Sequence, residues 1–468
     1  MNLWQKKSID QVLQEANDPN QRLKRSLGPL DLMGIGIASV VGTGIFVLTG
    51  VGAQMAGPSI ILSLVFSGIV SLLAALIFAE LAAMIPVAGS SYTFAYTSMG
   101  EFIAWIIGWD LILEYGVAVA AVAVGWAAYF NDAMLVMGIH IPTFFLAGPW
   151  DGGIINFPAL IVEIFVTILL VLGTRESMTI NNIIVIIKIL ALFLFIGVGL
   201  GHIDSANWHP FVPFGFHGIM SGAAIMFFAY IGFDAISTAA EETRNPQKDI
   251  PIGLLGTSFF TIILYVVVAA VLTGIQHWPE LNNASPLSEA LRSVGVNWAS
   301  ALVSVAAIAG MASVMLVTQY GQTRIFFSMS RDGLLPKSLA NVHPRFKTPI
   351  RLTIITSIFI AALATLTPIG VIAELCNIGT LFAFVLVSVG VLVLRTKNPN
   401  AKRPFQVPFV KFVAPLTGIA SLYLMFQLPI VTWVRFGIWM ILGLLVYFSY
   451  SAHHSVLSKQ QNSDVRPD

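Results

Sequence analysis

Eight ionisable side chains lie within or at the edges of long apolar stretches of this 468-residue chain. Insertion scales put the cost of Lys, Arg or Asp at the middle of a membrane helix at about 2.5 to 3.5 kcal/mol, so each of the eight is a candidate for function. Three of them stand near predicted membrane borders and are interpreted as mainly structural. The eight are Glu80, Arg324 and Glu374 at the borders, and Asp110, Glu114, Glu163, Lys188 and Asp234 deeper in the runs.

Lys188 is a cation with apolar residues on both sides, at 183–187 and at 189–193. From a helix start near residue 180 it would lie about 12 Å deep, too deep for easy snorkelling. Two interpretations stay open. Lys188 forms a buried ion pair with a carboxylate, or desolvation lets its amine lose and regain a proton near neutral pH. In the second case the ammonium would bind the carbonyls of an interrupted helix, as a sodium ion would, and would couple proton binding to the geometry of a hinge.

A glycine-rich stretch from Gly34 to Phe46 interrupts the first long apolar run. Each glycine costs about 1 kcal/mol in a helix interior, and unpaired peptide groups survive in hydrocarbon only where they line a cavity or are buried in protein. Residues 40–44 are therefore predicted to be an unwound hinge whose amides and carbonyls bind a small zwitterion. The alternative is that the glycines let two helices pack closely.

A second interruption, at Gly222–Asp234, lies five apolar runs after the first and favours the hinge. Because five is odd, the two halves of the chain must cross the membrane in opposite directions. Interrupted segments at matching positions of two inverted halves indicate the midplane site of a transporter, where half-helix N-termini face a carboxylate and free carbonyls face a cation.

Other polar and aromatic residues have more than one interpretation. Asp110 and Glu114 have i, i+4 spacing and share one helix face. Glu114 is predicted to bond a polar partner or water, to hold a cationic group, or to serve packing. Asp234 is predicted to cap the second half of its interrupted helix. The rings of Trp105, Trp109, Trp126 and Phe228 are interpreted as packing rather than as gates.

The composition requires a membrane setting for these residues. The chain is 57% hydrophobic and 10% charged, against about 25% charged in soluble domains. A net charge of +1 gives no basic field for nucleic acid, and the single cysteine, Cys376, excludes an intrachain disulfide and a cysteine zinc site. No cleavable signal sequence is expected in the polar first thirty residues.

Twelve apolar runs are long enough to be membrane helices. With the N-terminus inside, one alternating set of loops collects nearly all Lys and Arg, and the other set keeps only Arg292 and Arg435. Both termini are therefore expected in the cytoplasm. Residues 131–156 and 276–296 are predicted outer lids, 86–101 a re-entrant or interfacial segment, and the tail after Ser451 disordered. The runs lie near 31–55, 58–86, 102–130, 157–174, 180–201, 216–240, 252–275, 297–327, 350–367, 369–395, 408–428 and 430–452.

With these motifs in hand, the chain resembles a bacterial member of the amino acid–polyamine–organocation superfamily, and within it the cationic amino acid transporter family. The resemblance covers about residues 26–452. It rests on four segments of the sequence, which are Gly34-Ile35-Gly36 with Gly42-Thr43-Gly44-Ile45-Phe46, Phe227 to Ala235, Ser237 to Pro251, and Gly321-Gln322-Thr323-Arg324 with Met329-Ser330-Arg331-Asp332-Gly333.

The resemblance implies an all-α integral membrane protein of twelve transmembrane helices, with a LeuT-type five-plus-five inverted repeat and two further C-terminal helices. The expected division is 1–30 cytoplasmic, 31–201 first repeat, 216–395 second repeat, 408–452 the last two helices and 453–468 cytoplasmic tail. It also implies that Lys188 replaces a second sodium site. The residues implied to bind substrate are Val40, Val41, Gly42, Thr43, Gly44, Phe228, Ala229 and Ile231.

The function expected from residues and resemblance together is proton-coupled import of L-amino acids across the bacterial plasma membrane, with Glu114 and Asp234 as supporting polar groups. The alternative within transport is amino acid exchange without net proton flux. The expected partners are an L-amino acid, protons and the lipid bilayer, with no nucleic acid, and a small membrane subunit is left open. No cofactor or metal is expected.

Two other classes of function fit the sequence less well than transport. An intramembrane enzyme is disfavoured because no G-x-S-x-G or H-E-x-x-H motif occurs. A nutrient sensor would usually carry an added soluble domain, and the segments outside the predicted spans are short.

Overall fold

The computed structural model describes residues 4–8, 25–87, 89–173, 178–344, 346 and 348–457. These residues form helices and their connections, with one isolated backbone pairing between Leu27 and Thr243. Residues 9–24 of the predicted N-terminal segment and 458–468 of the predicted tail lie outside the described residues.

The helices of the first half are numbered in chain order. They are α1 (Pro29–Val40), α2 (Thr43–Phe46), α3 (Leu48–Ala56), α4 (Ile60–Met84), α5 (Ser90–Ser98), α6 (Glu101–Val136), α7 (Phe157–Leu172) and α8 (Met178–Gly199).

The second half continues the numbering, and a 3₁₀ turn (Phe227–Tyr230) separates its first two helices. These helices are α9 (Gly215–Met226), α10 (Ala235–Thr238), α11 (Pro246–Ile275), α12 (Pro286–Ser293), α13 (Asn297–Arg331), α14 (Ile350–Leu366), α15 (Ile369–Lys397), α16 (Val410–Phe426), α17 (Ile430–Val446) and α18 (Ala452–His454).

Eight helical stretches among the described residues are long and apolar enough to cross a membrane, and four apolar helices are shorter. The protein is therefore an all-helical, multi-pass membrane protein. The count of twelve spans stays a prediction. A count based on helix length is lower than the number of membrane crossings where one apolar run contains several short helices. The first apolar run is such a case, because it is divided into α1, α2 and α3.

Both predicted interruptions are present in the backbone, but each is shorter than predicted, because Val40, Thr43 and Gly44 are helical and residues 222–230 continue as α-helix and 3₁₀ turn. The α1 helix ends at Val40, and Val41 and Gly42 are non-helical before α2 begins. In the second half, Ile231–Asp234 separates the 3₁₀ turn from α10, and Gly232 has φ +110°, a conformation that favours glycine. Irregular backbone at these two places is consistent with the sequence interpretation of hinges.

Helix α6 is a central element of the packing. It contacts α13, α15 and α7, while α11 packs on α4 and α1, and α8 packs on α13. Two of its tryptophans pack against α17, because Trp105 Nε1 donates to Gly443 O at 2.9 Å and Trp109 Nε1 to Trp439 O at 2.9 Å. Both bonds connect α6 to α17.

The two described ends of the chain meet on one side of the molecule, called here the terminal face and defined by residues 4–8 and 452–457. Lys7 Nζ donates to Asp332 Oδ1 at 2.8 Å, and the amide of Val456 donates to Asp332 O at 3.0 Å. Ser455 Oγ donates to the carboxylate of Glu101. The prediction of a disordered tail after Ser451 is therefore wrong for residues 452–457, which these bonds hold in place.

Two tyrosines of α5 complete this terminal-face cluster of Lys7, Tyr92, Tyr96, Glu101, Asp332 and Ser455. Tyr92 donates to Asp332 Oδ2 at 2.8 Å and Tyr96 to Glu101 Oε2 at 2.6 Å. Burial, followed by the nearby carboxylates, raises the pKa of both phenols well above the ordinary value, so both stay protonated donors. The segment predicted as re-entrant thus forms a short buried helix at this face.

On the side of the molecule away from the terminal face, hydrogen bonds hold α12 in place. The residues that form them are called here the opposite-face network, and they are Asp132, Ser288, Arg292, Ser300 and Ser304. Asp132 Oδ1 accepts from Arg292 Nη1 at 2.6 Å, and Asp132 Oδ2 from Ser288 Oγ at 2.8 Å. The Ser288 hydroxyl lies 2.8 Å from those of both Ser300 and Ser304 on α13. This predicted lid is therefore fixed to the ends of α6 and α13.

Two of the three charges placed at membrane borders, Glu80 and Glu374, have hydrogen-bond partners on other helices, and the third, Arg324, approaches Glu242 instead. Arg395 donates to both oxygens of Glu80, at 2.8 and 2.7 Å. Thr432 Oγ1 donates to Glu374 Oε2 at 2.6 Å. These contacts stabilise the packing of α4 with α15, and of α15 with α17.

Candidate functional site

A cavity of about 670 Å³ lies beside the two interrupted helices, within the range of small-molecule sites. Ile35 and Ser39 of α1 form one part of its wall, Glu114 and Tyr115 of α6 another, and Leu316 of α13 a third. Segments that are far apart in sequence therefore enclose one space.

One end of the cavity reaches the terminal face. Glu242 and Arg324 line this end, are 31% and 35% exposed, and approach to 4.0 Å. The Glu242 carbonyl also accepts hydrogen bonds from the amides of Ser26 and Leu27. The chain segment that enters α1 is therefore attached beside the mouth of the cavity.

Side chains satisfy the carbonyls freed by the first interruption. Lys188 Nζ donates to Ala38 O at 2.6 Å and to Val41 O at 2.8 Å. The Tyr265 hydroxyl donates to Val40 O at 3.0 Å. Since no backbone amide of the described residues donates to these carbonyls, the break depends on donors from α8 and α11.

Lys188 itself is fully buried, with 0% exposure. Its aliphatic stem lies against Gly310 of α13, where an added Cβ would be 3.2 Å from Lys188 Cδ. Within the described part of the chain no carboxylate forms an ion pair with Lys188, so its charge is balanced by carbonyl dipoles. Of the two sequence interpretations, the geometry favours contact with the interrupted helix.

Asp234 lies at the second interruption and lines the cavity. Its Oδ2 accepts from the Tyr115 hydroxyl at 2.8 Å and from Ser90 Oγ at 3.1 Å. Asp234 occupies the N-cap position of α10, but its side chain makes no capping hydrogen bond. The prediction of a capping side chain is therefore wrong, because α6 and α5 offer hydroxyl donors that engage the carboxyl group instead.

Glu114 also lines the cavity, and Asp110 lies one turn away on α6. Asp110 is completely buried, and neither of its oxygens has a hydrogen-bond partner within the described ranges. It packs against Gly379 of α15, where an added Cβ would lie 2.8 Å from Oδ1. Two acidic groups therefore project from one face of α6, one into the cavity and one into packed protein.

The predicted substrate residues fall into two groups. Ile231 lines the cavity. The others are buried beside it and do not line it, namely Val40, Val41, Gly42, Thr43, Gly44, Phe228 and Ala229. Gly44 and Ala229 bring the two interrupted helices together, since an added Cβ on Gly44 would be 2.3 Å from Ala229 Cα. The assignment of these residues to substrate stays a prediction.

Three hydroxyl groups that bind the interrupted segments are not predicted from the sequence. They belong to Tyr115, Tyr265 and Ser90. Tyr115 and Asp234 are 119 residues apart, and Tyr265 and Val40 are 225 apart. A hydroxyl on an apolar helix gives no periodic signal that would identify so distant a partner. The one available indication is that Tyr115 directly follows Glu114.

Broken membrane helices beside a cavity, at two separate places in the chain, are typical of membrane transporters. Residues 27–447 match the family described as amino acid permease. The chain belongs to this family, which is part of the amino acid–polyamine–organocation superfamily.

Curated relatives agree with the family. The chain is 47% identical to a branched-chain amino acid permease of Bacillus subtilis and 44% identical to a methylthioribose transporter of the same organism, covering 98% of this chain and 99% of the relative in both cases. It is 35% identical to the vacuolar cationic amino acid transporter 4 of Arabidopsis thaliana, over 85% of this chain and 68% of the relative. The family and these relatives are transporters, not enzymes.

Proposed function

We propose that this protein imports L-amino acids with protons across the plasma membrane by alternating access. The substrate would bind where the two interrupted helices meet, at residues 40–44 and at Phe228, Ala229 and Ile231. The bond from Lys188 to the carbonyls of Ala38 and Val41 carries this proposal, because it joins a titratable group to the first hinge.

Proton binding at Lys188 can change the strength of this contact. Hydrogen bonds from an ammonium are about twice as strong as those from a neutral donor. The protonated side chain would hold the carbonyl of Ala38 in the last turn of α1 and the carbonyl of Val41 at the start of the break, as a bound cation does. Loss of the proton would weaken both bonds and free the segment before Gly42 to move.

The positive-inside rule supports a cytoplasmic terminal face. The cavity reaches that face, while the opposite-face network fixes α12 over the other end of the bundle. This arrangement is the one expected of a state open to the cytoplasm. The five-plus-five division of the chain, at 31–201 and 216–395, belongs to the same proposal.

The permease name of the Bacillus subtilis relative supports an amino acid substrate, and the 44% relative adds methylthioribose as a ligand to test. A thermal-shift screen of purified protein against the twenty amino acids and methylthioribose would identify the substrate. A ligand that binds only the folded state raises apparent stability. A shift with methylthioribose alone would contradict the amino acid assignment.

Substitution of Lys188 by Ala tests the coupling in proteoliposomes. We expect Lys188→Ala to retain amino acid counterflow but to lose accumulation driven by an imposed pH gradient. One pH unit is worth about 1.4 kcal/mol, enough for at most roughly tenfold accumulation of one substrate per proton. Lys337→Ala, at an exposed lysine between α13 and α14, is the control and should behave as wild type.

Two outcomes would contradict the proposal. Unchanged pH-driven accumulation by Lys188→Ala would remove the proton role of this side chain. Counterflow without any pH-driven accumulation in the wild-type protein would identify an exchanger instead.

A further inference from the structure

A buried carboxyl group, Glu163, lies outside the cavity and plays no part in the proposed transport cycle. It projects from α7 toward Gln319 of α13 and Ser357 of α14. Glu163 is 1% exposed and Gln319 0% exposed. Gln319 Nε2 donates to Glu163 Oε1 at 2.9 Å and to Ser357 Oγ at 2.7 Å. One amide therefore connects three helices.

The donors around this group are all in use. The two N–H groups of the Gln319 amide go to Glu163 and Ser357, and the Ser357 hydroxyl donates to Thr353 O at 2.7 Å. The Thr167 hydroxyl donates to Glu163 O at 2.7 Å and is 3.4 Å from Oε1. Glu163 Oε2 and Gln319 Oε1 are left without a partner in the described part of the chain.

These two orphan atoms are both acceptors if Glu163 is ionised. A buried acceptor without a donor is unfavourable, and an ionised carboxylate in a membrane interior is more so. Among the described residues no lysine, arginine or histidine forms an ion pair with Glu163. The surroundings therefore provide an amide and two hydroxyls but no compensating charge.

We propose that Glu163 binds a resident proton on Oε2 and forms an acid–amide ring with Gln319. A protonated carboxyl group has one O–H donor besides its acceptor oxygen. The O–H on Glu163 Oε2 would donate to Gln319 Oε1, because the amide nitrogen of the same Gln319 side chain already donates to Glu163 Oε1. A single proton would thus satisfy both orphan atoms and remove the buried charge.

The position of the ring indicates a proton that stays in place. Glu163 and Gln319 do not line the cavity, whereas Val166 and Leu316, each three residues away on the same helices, do. The ring therefore fixes the spacing of α7 and α13 behind the cavity wall. This inference does not depend on proton-coupled import, since it follows from the hydrogen-bond inventory of α7, α13 and α14.

Infrared difference spectroscopy of the purified protein tests the proposal directly. We expect the carbonyl stretch of a protonated carboxylic acid in the wild type and its loss in Glu163→Gln, in which an amide retains the ring. In the exchange variant Glu163→Gln with Gln319→Glu the band should return, because the acid and the amide have traded places. If Glu163→Gln instead loses a carboxylate band, Glu163 is ionised in the wild type and the proposal is wrong. The same result would be seen if a water molecule bridged an ionised Glu163 and Gln319.

Glu80→Gln is the matched control. Glu80 is equally buried at 1% exposure, but Arg395 and the amide of Val407 bind its oxygens, so it should lose only a carboxylate band. Uptake provides a second measurement. Glu163→Gln should keep the wild-type pH profile, and a profile that flattens or shifts would show that the proton exchanges during transport and is not resident.

Discussion

The carboxyl group of Asp234 is held by hydroxyls from two other helices, and this contact shows what a single residue contributes to the site. Tyr115 belongs to α6 and Ser90 to α5, whereas Asp234 belongs to the second interruption. Tyr115 and Asp234 both line the cavity. Their bond therefore connects a long continuous helix to a broken one across the proposed substrate path.

Tyr115→Phe should destabilise the protein and slow uptake. A buried hydrogen bond to an acidic group is worth about 1.5 to 3 kcal/mol, and phenylalanine removes this donor while retaining the ring. Thermal unfolding in detergent and initial uptake rates measure the two effects. Tyr423→Phe, at a residue 43% exposed on α16, is the control. An unfolding temperature equal to that of the wild type would contradict the prediction.

For single residues, the sequence predicts which side chains have a functional role better than it predicts which residues they contact. Lys188 stands out because no other charge shares its apolar run, and its contact with carbonyls of the broken helix is of the kind expected. Asp234 is found by the same reasoning, but its predicted bond is wrong. Its donors come from distant segments that no local spacing identifies.

Glycine determines how closely the two interrupted helices approach. An added Cβ on Gly44 would lie 2.3 Å from Ala229 Cα. Because Ala229 Cα is a backbone atom, no side-chain rotation can relieve this clash. Close approach of this kind was one interpretation of the glycine-rich stretch, and an unwound hinge was the other. Both features occur, at neighbouring positions: the non-helical pair Val41 and Gly42, and the close contact at Gly44.

Gly44→Ala should abolish uptake and lower thermal stability, because α2 and the 3₁₀ turn at residues 227–230 must move apart to admit the methyl group. Gly197→Ala on α8 is the control, since nothing lies within 4 Å of its added Cβ and alanine is the better helix former. Normal uptake by Gly44→Ala would show that the contact tolerates displacement and would contradict the prediction.

The length of an apolar run predicts that a helix is present, but it does not predict the residue at which the helix ends. The α6 helix runs to Val136, beyond the predicted boundary at residue 130. Its last turns are polar at Asp132, which the opposite-face network engages. A hydropathy run ends at such a residue, but a helix continues when partners satisfy the side chain.

For the whole molecule, the two ends of the bundle differ in their polar contacts and in access to the cavity. The terminal face has a cavity mouth and a polar cluster, and the opposite face has a network around Asp132. Burial lowers the pKa of Arg292, but the hydrogen bonds that Arg292 donates to the carboxylates of Asp132 and Glu289, together with their negative charges, outweigh burial and raise this pKa. The network therefore keeps its cation throughout the physiological range.

Asp132→Ala should open the opposite face. It removes the shared acceptor of Arg292 and Ser288, so α12 would separate more readily from α6 and α13. In a Cys376→Ser background, labelling of Val47→Cys by a membrane-impermeant maleimide added at that face should become several-fold faster. Val47 is 4% exposed, so labelling reports opening.

Glu289→Ala is the matched control for this measurement. Glu289 is the other partner of Arg292 but is 38% exposed, and exposed ion pairs contribute little to stability. Equal labelling rates in Asp132→Ala, Glu289→Ala and the parent would show that the network does not hold this side closed.

The terminal-face cluster has a consequence for biogenesis. Asp332 binds Lys7, which precedes α1, and Val456, which follows α18. A ribosome must release the C-terminal residues before Asp332 can complete these bonds, however early the membrane insertion of the first helices takes place. The backbone carbonyl of Asp332 therefore receives the amide of Val456 only after every membrane helix has been synthesised.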